Sequence, residues 1–284
     1  MGHIKVSAEE IESLRLHPQT LDLAVNLVRV NGYVVLEKVL PDEKISALHS
    51  AFCEGLENFI RKRGTEIYET AKGFNEGTNH LGLFLPFAEP FNDSLVIEHP
   101  FALAIVDKIL GEDCNMTLFS SNTTLPGGRK CQPVHADYGS YFGDLCHVAL
   151  PITELVYNIP LVDVNERNAP MEIWPGGTHQ LPDNMYGPRG VDIEALAAHM
   201  QSVKVHMPAG SILIRDARMW HRGTINHSSE PRPNIALMFS ARRQTENIQI
   251  PQETYDNLSN RAKHLLRFQK IGFPAIEFTH ENEA

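Results

Sequence analysis

Two short stretches carry side chains whose types and spacing suit a metal centre. In Gln132-Pro133-Val134-His135-Ala136-Asp137 an imidazole and a carboxylate stand two residues apart, and on a β-strand such residues project to the same face. Far downstream, Met219-Trp220-His221-Arg222-Gly223-Thr224-Ile225-Asn226 supplies a second imidazole and Pro231-Arg232-Pro233 a guanidinium. A His-X-Asp pair alone is weak evidence, because a surface strand with two polar side chains in water produces it as readily. With His221 added, the set becomes two neutral imidazoles and one carboxylate on one face of a metal ion, the facial arrangement of non-haem Fe(II) oxygenases. Three positions then remain for a bidentate co-substrate and dioxygen. A co-substrate with a distal carboxylate needs an anchor, and the fork of Arg232 offers paired charge-assisted hydrogen bonds where a lysine offers a point charge.

These residues must be held by strands. From about residue 115 the chain reads as short β-rich runs separated by Gly, Pro and Asn, near 116–124, 133–138, 146–150, 154–162, 171–174, 202–207, 211–217 and 234–242. Short strands with turn signals and no interleaved helices predict a sandwich or jelly roll, a double-stranded β-helix, over a parallel α/β sheet. His135 and Asp137 then sit on the second of these strands. His221 closes an extension of 211–217, and Arg232 opens the returning strand, so that a hairpin brings the two together. Phe119, Ser121 and Thr123 alternate on the strand before the metal strand and are candidates to line a substrate pocket. Ahead of this core, Gly32–Val39 reads as a strand and 44–62 as an amphipathic helix with Ile45, Leu48, Phe52, Leu56, Phe59 and Ile60 on one stripe. Residues 98–111 read as a second helix ending at Gly111. The expectation is a mainly β fold with flanking helices, an N-terminal helical cover and one domain over 1–284, its core at about 115–242. Residues 63–95 and 180–201 are long and polar for simple connections and are candidate lids. Residues 254–268 read as a C-terminal helix with one apolar side.

Composition narrows the partners. Twenty-five basic against 35 acidic residues leave a formal charge of −10, and an acidic chain without a basic run offers no footprint for nucleic acid. Apolar runs of only a few residues fall far short of the roughly 20 needed to cross a bilayer. The N-terminus carries acidic pairs in place of the basic and apolar regions of a signal peptide, so a cytoplasmic protein without membrane association is expected. Cys53, Cys114, Cys131 and Cys146 form no CxxC pair and read as free thiols.

The motifs also carry a family resemblance. QPVHAD, NAPMEIWPGGTH at 168–179 and WHRGTIN followed by PRP resemble the phytanoyl-CoA dioxygenase family of Fe(II)- and 2-oxoglutarate-dependent oxygenases. VNGYVVLEKVLPDEKISAL resembles that family's N-terminal strand and helix, and TLPGGRKCQPVHAD its run into the metal strand, so the likeness extends from about Asn31 to Met238. The resemblance implies His135, Asp137 and His221 as iron ligands. It implies Arg232, Gln132 and Thr224 as the set that holds 2-oxoglutarate. Where many relatives place a threonine that touches 2-oxoglutarate, this chain has Met171. Halogenating relatives replace the carboxylate ligand with a small residue, so Asp137 points to oxygenation. The expected reaction consumes 2-oxoglutarate and O2, yields succinate and CO2, and hydroxylates, desaturates, epoxidises or rearranges a substrate.

The motif wording resembles the fungal and bacterial biosynthetic members of the family, which implies a small, partly apolar metabolite as substrate. An acyl-CoA is the alternative, disfavoured by the net acidity. Readings from other classes are a non-catalytic jelly roll and a cupin-like barrel holding Zn or Mn; intact ligands argue against the first and Arg232 against the second. Dimerisation is common among the resembling proteins, so a homodimer is carried as an expectation.

Overall fold

A computed structural model describes residues 2–64, 78–187 and 189–280. The helices are α1 (Ala8–Ser13), α2 (Pro18–Asn31), α3 (Asp42–Arg63), α4 (Ser94–Ile97), α5 (Pro100–Leu110), α6 (Ile193–Ala197), α7 (Gln252–Asp256) and α8 (Asn260–Leu265). The strands are β1 (His3–Lys5), β2 (Tyr33–Glu37), β3 (His80–Phe84), β4 (Asn115–Thr124), β5 (Glu154–Pro160), β6 (Met171–Ile173), β7 (Val203–Val205), β8 (Ile212–Asp216), β9 (His221–Gly223), β10 (Asn234–Ser240), β11 (Gln249–Ile250), β12 (Lys270–Ile271) and β13 (Thr279–His280). Among the described residues no helix is long and apolar enough to cross a membrane.

A broad sheet runs in the order β1-β2-β8-β5-β10-β4-β3-β13, and a small sheet in the order β7-β6-β9. Within the broad sheet only the β1–β2 pair is parallel; the other pairs are antiparallel. Side-chain alternation separates its two faces. Val34 and Leu36 of β2 and Ile212 and Ile214 of β8 join one apolar cluster with Val25 and Val28 of α2, Leu48 and Phe52 of α3, and Ile105 of α5. Tyr33, Val35 and Leu213, one residue out of step, instead meet Ile173 of β6 and Val205 of β7. Helices therefore pack on one face of the broad sheet and the small sheet on the other.

The helices form where the stripes lie. In α3 the acidic Asp42 and Glu43 occupy the first turn and Arg61, Lys62 and Arg63 the last, each complementing the helix dipole. In α5 the Phe101 N–H donates to the ring of His99, and the chain leaves the helix at Gly111 with φ 87. Residues 254–268 form two short helices separated at Asn257–Ser259 where one was expected; Ala262, Leu265 and Leu266 pack into the helix-side core.

Several expected strands are absent or displaced. Residues 133–138 form no strand: His135 makes a single bridge to His221, and the Asp137 N–H donates to the Ala217 carbonyl at 2.9 Å. Residues 146–150 form none either, because the Cys146 and Val148 carbonyls accept from Asn184 and Asp183 in a loop-to-loop contact. His221 does not end β8; the chain turns at 217–220 and His221 opens β9 in the other sheet. Nor do β9 and β10 make a hairpin: β10 lies between β4 and β5, and Arg232, two residues before it, bridges Thr124. The candidate lid 63–95 contains β3 and the start of α4, while its residues 65–77 lie outside the described residues. In β4 the register slips opposite Met238/Phe239, which pair with Leu118 and Met116. This bulge at Thr117 lets Met116 and Phe119, three apart, both reach the helix-side core.

Candidate active site

The single bridge between His135 and His221 sets the metal-type geometry. Each backbone N–H donates to the other's carbonyl, at 3.0 and 2.9 Å, and the rings lie 4.3 Å apart between centroids. His135 Nδ1 is 2.9 Å from the Pro133 carbonyl and His221 Nδ1 is 3.0 Å from that of Met219. A carbonyl only accepts, so both protons sit on Nδ1 and both Nε2 lone pairs are free to bind a metal. Those Nε2 atoms stand 3.6 Å from Asp137 Oδ1 and 3.5 Å from Oδ2. One ligand atom from each of the three residues lies within 4.8 Å of the others. Burial opposes ionisation of Asp137, but the Arg215 guanidinium and the two imidazoles outweigh it and hold the carboxyl well below its usual range. Burial and Arg215 push His221 down, so it stays neutral as a ligand must. The donor set fits a divalent first-row metal with open positions.

A second group of side chains converges beside this trio. Arg232 is buried; its Nη1 donates to the Asn122 carbonyl at 3.0 Å and its Nη2 to Thr124 Oγ1 at 2.9 Å, while Nε has no partner. No carboxylate pairs with it among the described residues, and burial alone lowers its pKa to about 10. Thr124 Oγ1 in turn lies 3.4 Å from His80 Nδ1. A threonine hydroxyl carries one proton and two lone pairs, so with Arg232 donating to it Thr124 can either give its proton to His80 Nδ1 or accept one from it. His80 Nε2 is buried without a partner. Burial, then Arg232 and His135, lower the His80 pKa to about 3. The result is a neutral imidazole next to a buried cation with no carboxylate partner among the described residues.

Gln132 completes this arm. Its N–H donates to the Gly223 carbonyl at 3.0 Å, and its Oε1 accepts from the Gly223 N–H at 2.7 Å. Glycine is required there by space: a Cβ would lie 2.6 Å from both Gln132 Oε1 and His80 Cε1. Gly176 and Gly177, with φ of 100° and 98°, form a turn that leads to His179, whose Nε2 bonds the Arg29 carbonyl of α2.

The structure thus gathers His135, Asp137, His221, Gln132 and Arg232, and it relocates the other expected residues. Phe119, Ser121 and Thr123 lie on the helix-side face of β4, the face of their partners Leu83 and Leu81; Phe119 meets Phe87 edge to face at 5.3 Å. Leu118, Ser120, Asn122 and Thr124 take the site side. Thr224 is buried with its hydroxyl donated to the Pro170 carbonyl at 2.7 Å, so the proton expected for 2-oxoglutarate is already committed. Met171 packs against the apolar cluster between the sheets. Trp220 joins Val134 and Trp174 in a core.

Two residues that the motifs do not contain belong to the site: His80 and Arg215. Arg215 is 3% exposed at the side chain and its Nη2 donates to Asp137 Oδ2. Its signal was a charge directly after the apolar Ile212-Leu213-Ile214, on the parity of Leu213; that of His80 was a histidine out of step with Leu81 and Leu83.

The loop after Asp137 is organised by Asp183, in the candidate lid 180–201. Its carboxylate accepts from Tyr138 Oη at 2.7 Å, Ser140 Oγ at 2.6 Å, and the Tyr141 and Phe142 N–H groups at 3.3 and 3.0 Å. Glu194 of α6 accepts from the Val134 N–H at 2.5 Å, which ties the same segment to the run into His135. Tyr138, Val156, Tyr186 and Met238, with Leu118 and Tyr141 against them, form an apolar wall beside Asp137.

A family model described as phytanoyl-CoA dioxygenase matches residues 28–234. Among solved structures, the fold is similar to that of the non-heme alpha ketoglutarate dependent carbocyclase SnoK from nogalamycin biosynthesis, at 20% identity and TM-score 0.56, covering 79% of this chain and 84% of that one. The epimerase SnoN from the same biosynthesis gives 20% identity and TM-score 0.56 over 79% of this chain and 82% of that one; one SnoN structure is a complex with Fe3+, alpha ketoglutarate and nogalamycin RO. EvdMO1 matches at 21% identity and TM-score 0.60, covering 78% of this chain and 50% of that one. At these identities the likeness is one of fold.

Proposed function

Because the chain belongs to the phytanoyl-CoA dioxygenase family, we propose that this oxidoreductase uses Fe(II), 2-oxoglutarate and O2 to oxidise a small, partly apolar metabolite. The observation that carries the reading is the juxtaposition of two Nε2-presenting histidines and Asp137 with a buried arginine that has no carboxylate partner among the described residues. Bound Fe(II) supplies the centre at which oxidative decarboxylation of 2-oxoglutarate is coupled to substrate oxidation. The protein's own groups do the rest. His135 and His221 hold their Nε2 atoms fixed through their carbonyl partners. Arg232 offers its guanidinium to a carboxylate, joined by His80 Nε2 in the tautomer that carries its proton there, and both groups are buried, where such pairs gain most. The broad and small opposed sheets support the double-stranded β-helix architecture for this chain.

The apolar wall of Tyr138, Val156 and Met238 beside the ligand carboxylate supports a partly apolar substrate, and the biosynthetic roles of SnoK and SnoN support natural-product tailoring as the setting. The test begins without air. Purified protein with Fe(II) and 2-oxoglutarate is expected to show the weak visible charge-transfer band of a chelated 2-oxo acid, and admission of air to release succinate. His135→Ala abolishes both. Absence of the band and of succinate in the wild type would sink the reading.

A further inference from the structure

The chain that follows the ligand Asp137 is held by one buried carboxylate. Residues 138–148 form no strand and only a single 3₁₀ turn at Gly143–Leu145, yet Asp183 fixes their start. Its Oδ1 accepts from Tyr138 Oη and the Tyr141 N–H, and its Oδ2 from Ser140 Oγ and the Phe142 N–H. An ionised carboxylate has about four such acceptor sites, so the loop fills them all. Burial opposes ionisation of Asp183, but these bonds outweigh it and hold the carboxyl below its usual range. The far end is pinned by the same segment, where the Asp183 and Asn184 N–H groups donate to the Val148 and Cys146 carbonyls at 3.0 and 2.9 Å.

The clasped loop presents a strip of aromatic carbon that starts at the metal-type trio. Val156 lies opposite Arg215, which bonds Asp137, and opposite Met238; Tyr138 joins both in one apolar cluster. The Tyr138 and Tyr141 rings are 5.5 Å apart, Tyr141 is half-buried, and Phe142 beyond it is 58% exposed. The two phenols donate away from the strip, Tyr138 to Asp183 and Tyr141 to Glu154. Arg218 and Arg243 stand over the same two rings at 6.0 and 5.9 Å, so the place that a cationic ligand would take on these rings is already filled. Asp137, from which the loop departs, keeps 25% of its side chain exposed, against 4% for His221. We propose that Asp183 is a positioning residue for the substrate: it fixes residues 138–148 so that Tyr138, Tyr141 and Phe142 form the recognition surface for a neutral, apolar, ring-bearing part of the substrate beside Asp137. The inference rests on the metal-centre reading above and adds the substrate side to it. Aromatic faces and edges favour ring partners. A loop without such ties orders its side chains only on binding, and that ordering weakens affinity.

The test uses the full chain loaded with 2-oxoglutarate and with Co(II), a redox-inert probe of the metal site, and the neutral naphthalene dye prodan as the apolar ligand. Dye fluorescence gives its affinity. Stronger quenching in the Co(II) protein than in the protein loaded with Zn(II), a d10 ion without visible transitions, places the dye beside the metal. Thermal unfolding of the metal-free variants establishes folding. Asp183→Asn keeps the shape of the acid, but whichever way the amide turns, its NH2 meets the Tyr141 or the Phe142 N–H. This variant is expected to bind prodan at least about tenfold more weakly, with Co(II) and 2-oxoglutarate affinities within about twofold of wild type. Ser140→Ala removes one bond of the clasp without touching the strip; a loss of about two- to fivefold is expected, and it decides the role of Asp183 if Asp183→Asn does not fold. Phe142→Ser, on the exposed end of the strip, should lose about three- to tenfold. Prodan affinity within about twofold of wild type in the folded variants overturns the proposal. So does a parallel fall of Co(II), 2-oxoglutarate and prodan affinity, the mark of an acid that only supports the fold. A wild type that fails to bind prodan, or is quenched equally with Co(II) and Zn(II), overturns it as well. Failure of the wild type to bind Co(II), or binding untouched by His135→Ala, overturns the metal-centre reading and is distinguishable from these results.

Discussion

Replacing Arg232 by methionine separates two consequences that usually travel together, stability and ligand affinity. Burial moves the guanidinium pKa from 12.5 to about 10, a penalty on the charged form on the order of 3 kcal/mol. The folded value lies below the unfolded one, so this penalty is fully present at pH 7 and is relieved only as pH rises through about 10. Against it stand two hydrogen bonds, to the Asn122 carbonyl and Thr124 Oγ1, with a net worth of about 1 kcal/mol each. Arg232→Met removes both sides of this balance, and the metal-free variant should be as stable as wild type or slightly more so. At about 2 °C per kcal/mol for a chain of this size, its melting temperature should move upward by no more than about 3 °C. Ligand binding behaves oppositely: an unpaired carboxylate left in a buried site costs about 3–5 kcal/mol, a loss of roughly two to four orders of magnitude in 2-oxoglutarate affinity. Wild type with Co(II) and 2-oxoglutarate at about 100 times its Kd gains about 2.7 kcal/mol, or about 5 °C; the variant should show no response to 2-oxoglutarate at the same concentration. A variant that loses several degrees without ligand yet still responds to 2-oxoglutarate would refute both the burial argument and the assigned role.

Two other substitutions probe the same arm. His80 has a folded pKa of about 3 against 6.5 when unfolded, so the unfolded chain binds the extra proton and stability is lost as pH falls from about 6.5 toward 3. His80→Gln should flatten urea-unfolding free energies measured between pH 6 and 4 by about 1.4 kcal/mol per pH unit, and parallel profiles for the two proteins would remove His80 from this role. Gly223→Ala drives a Cβ to 2.6 Å from Gln132 Oε1 and His80 Cε1; it should cost about 1–3 kcal/mol in stability and weaken 2-oxoglutarate binding by about tenfold, detectable by calorimetry of the Co(II) protein. Wild-type affinity in that variant would show that the crowded atoms do not touch the co-substrate.

The metal trio was legible because its residue types and order survive any error in strand placement. Arg232 was singled out on chemical grounds, but the hairpin expected to bring it to His221 does not form. Its neighbour is Thr124 of β4, more than a hundred residues earlier, and pairing between remote strands leaves no mark in local pattern. The choice of Phe119, Ser121 and Thr123 failed for a different cause. β4 is buried on both faces, with Leu118 and Asn122 its half-buried exceptions, so alternation cannot say which parity meets the site, and the bulge at Thr117 changes that parity within the strand. His80 and Arg215 are single residues without motif spacing. Only the sheet register, which sets His80 opposite Thr124 and Arg215 opposite Val156, reveals that they converge.

The site's contacts also fix an order of assembly. Arg232 reaches Thr124 across 108 residues, Arg215 reaches Asp137 across 78, and His80 reaches Thr124 across 44. Each contact closes a long loop, and such closures come late because their entropy is spent before any contact repays it. The ligand trio therefore cannot template the fold. A nascent or partly folded chain presents scattered imidazoles with weak metal affinity, and selective metal capture begins only once His135 has bridged His221 of β9. Cells that make this protein faster than it folds should accumulate metal-free chains, a shortfall that added iron alone does not correct.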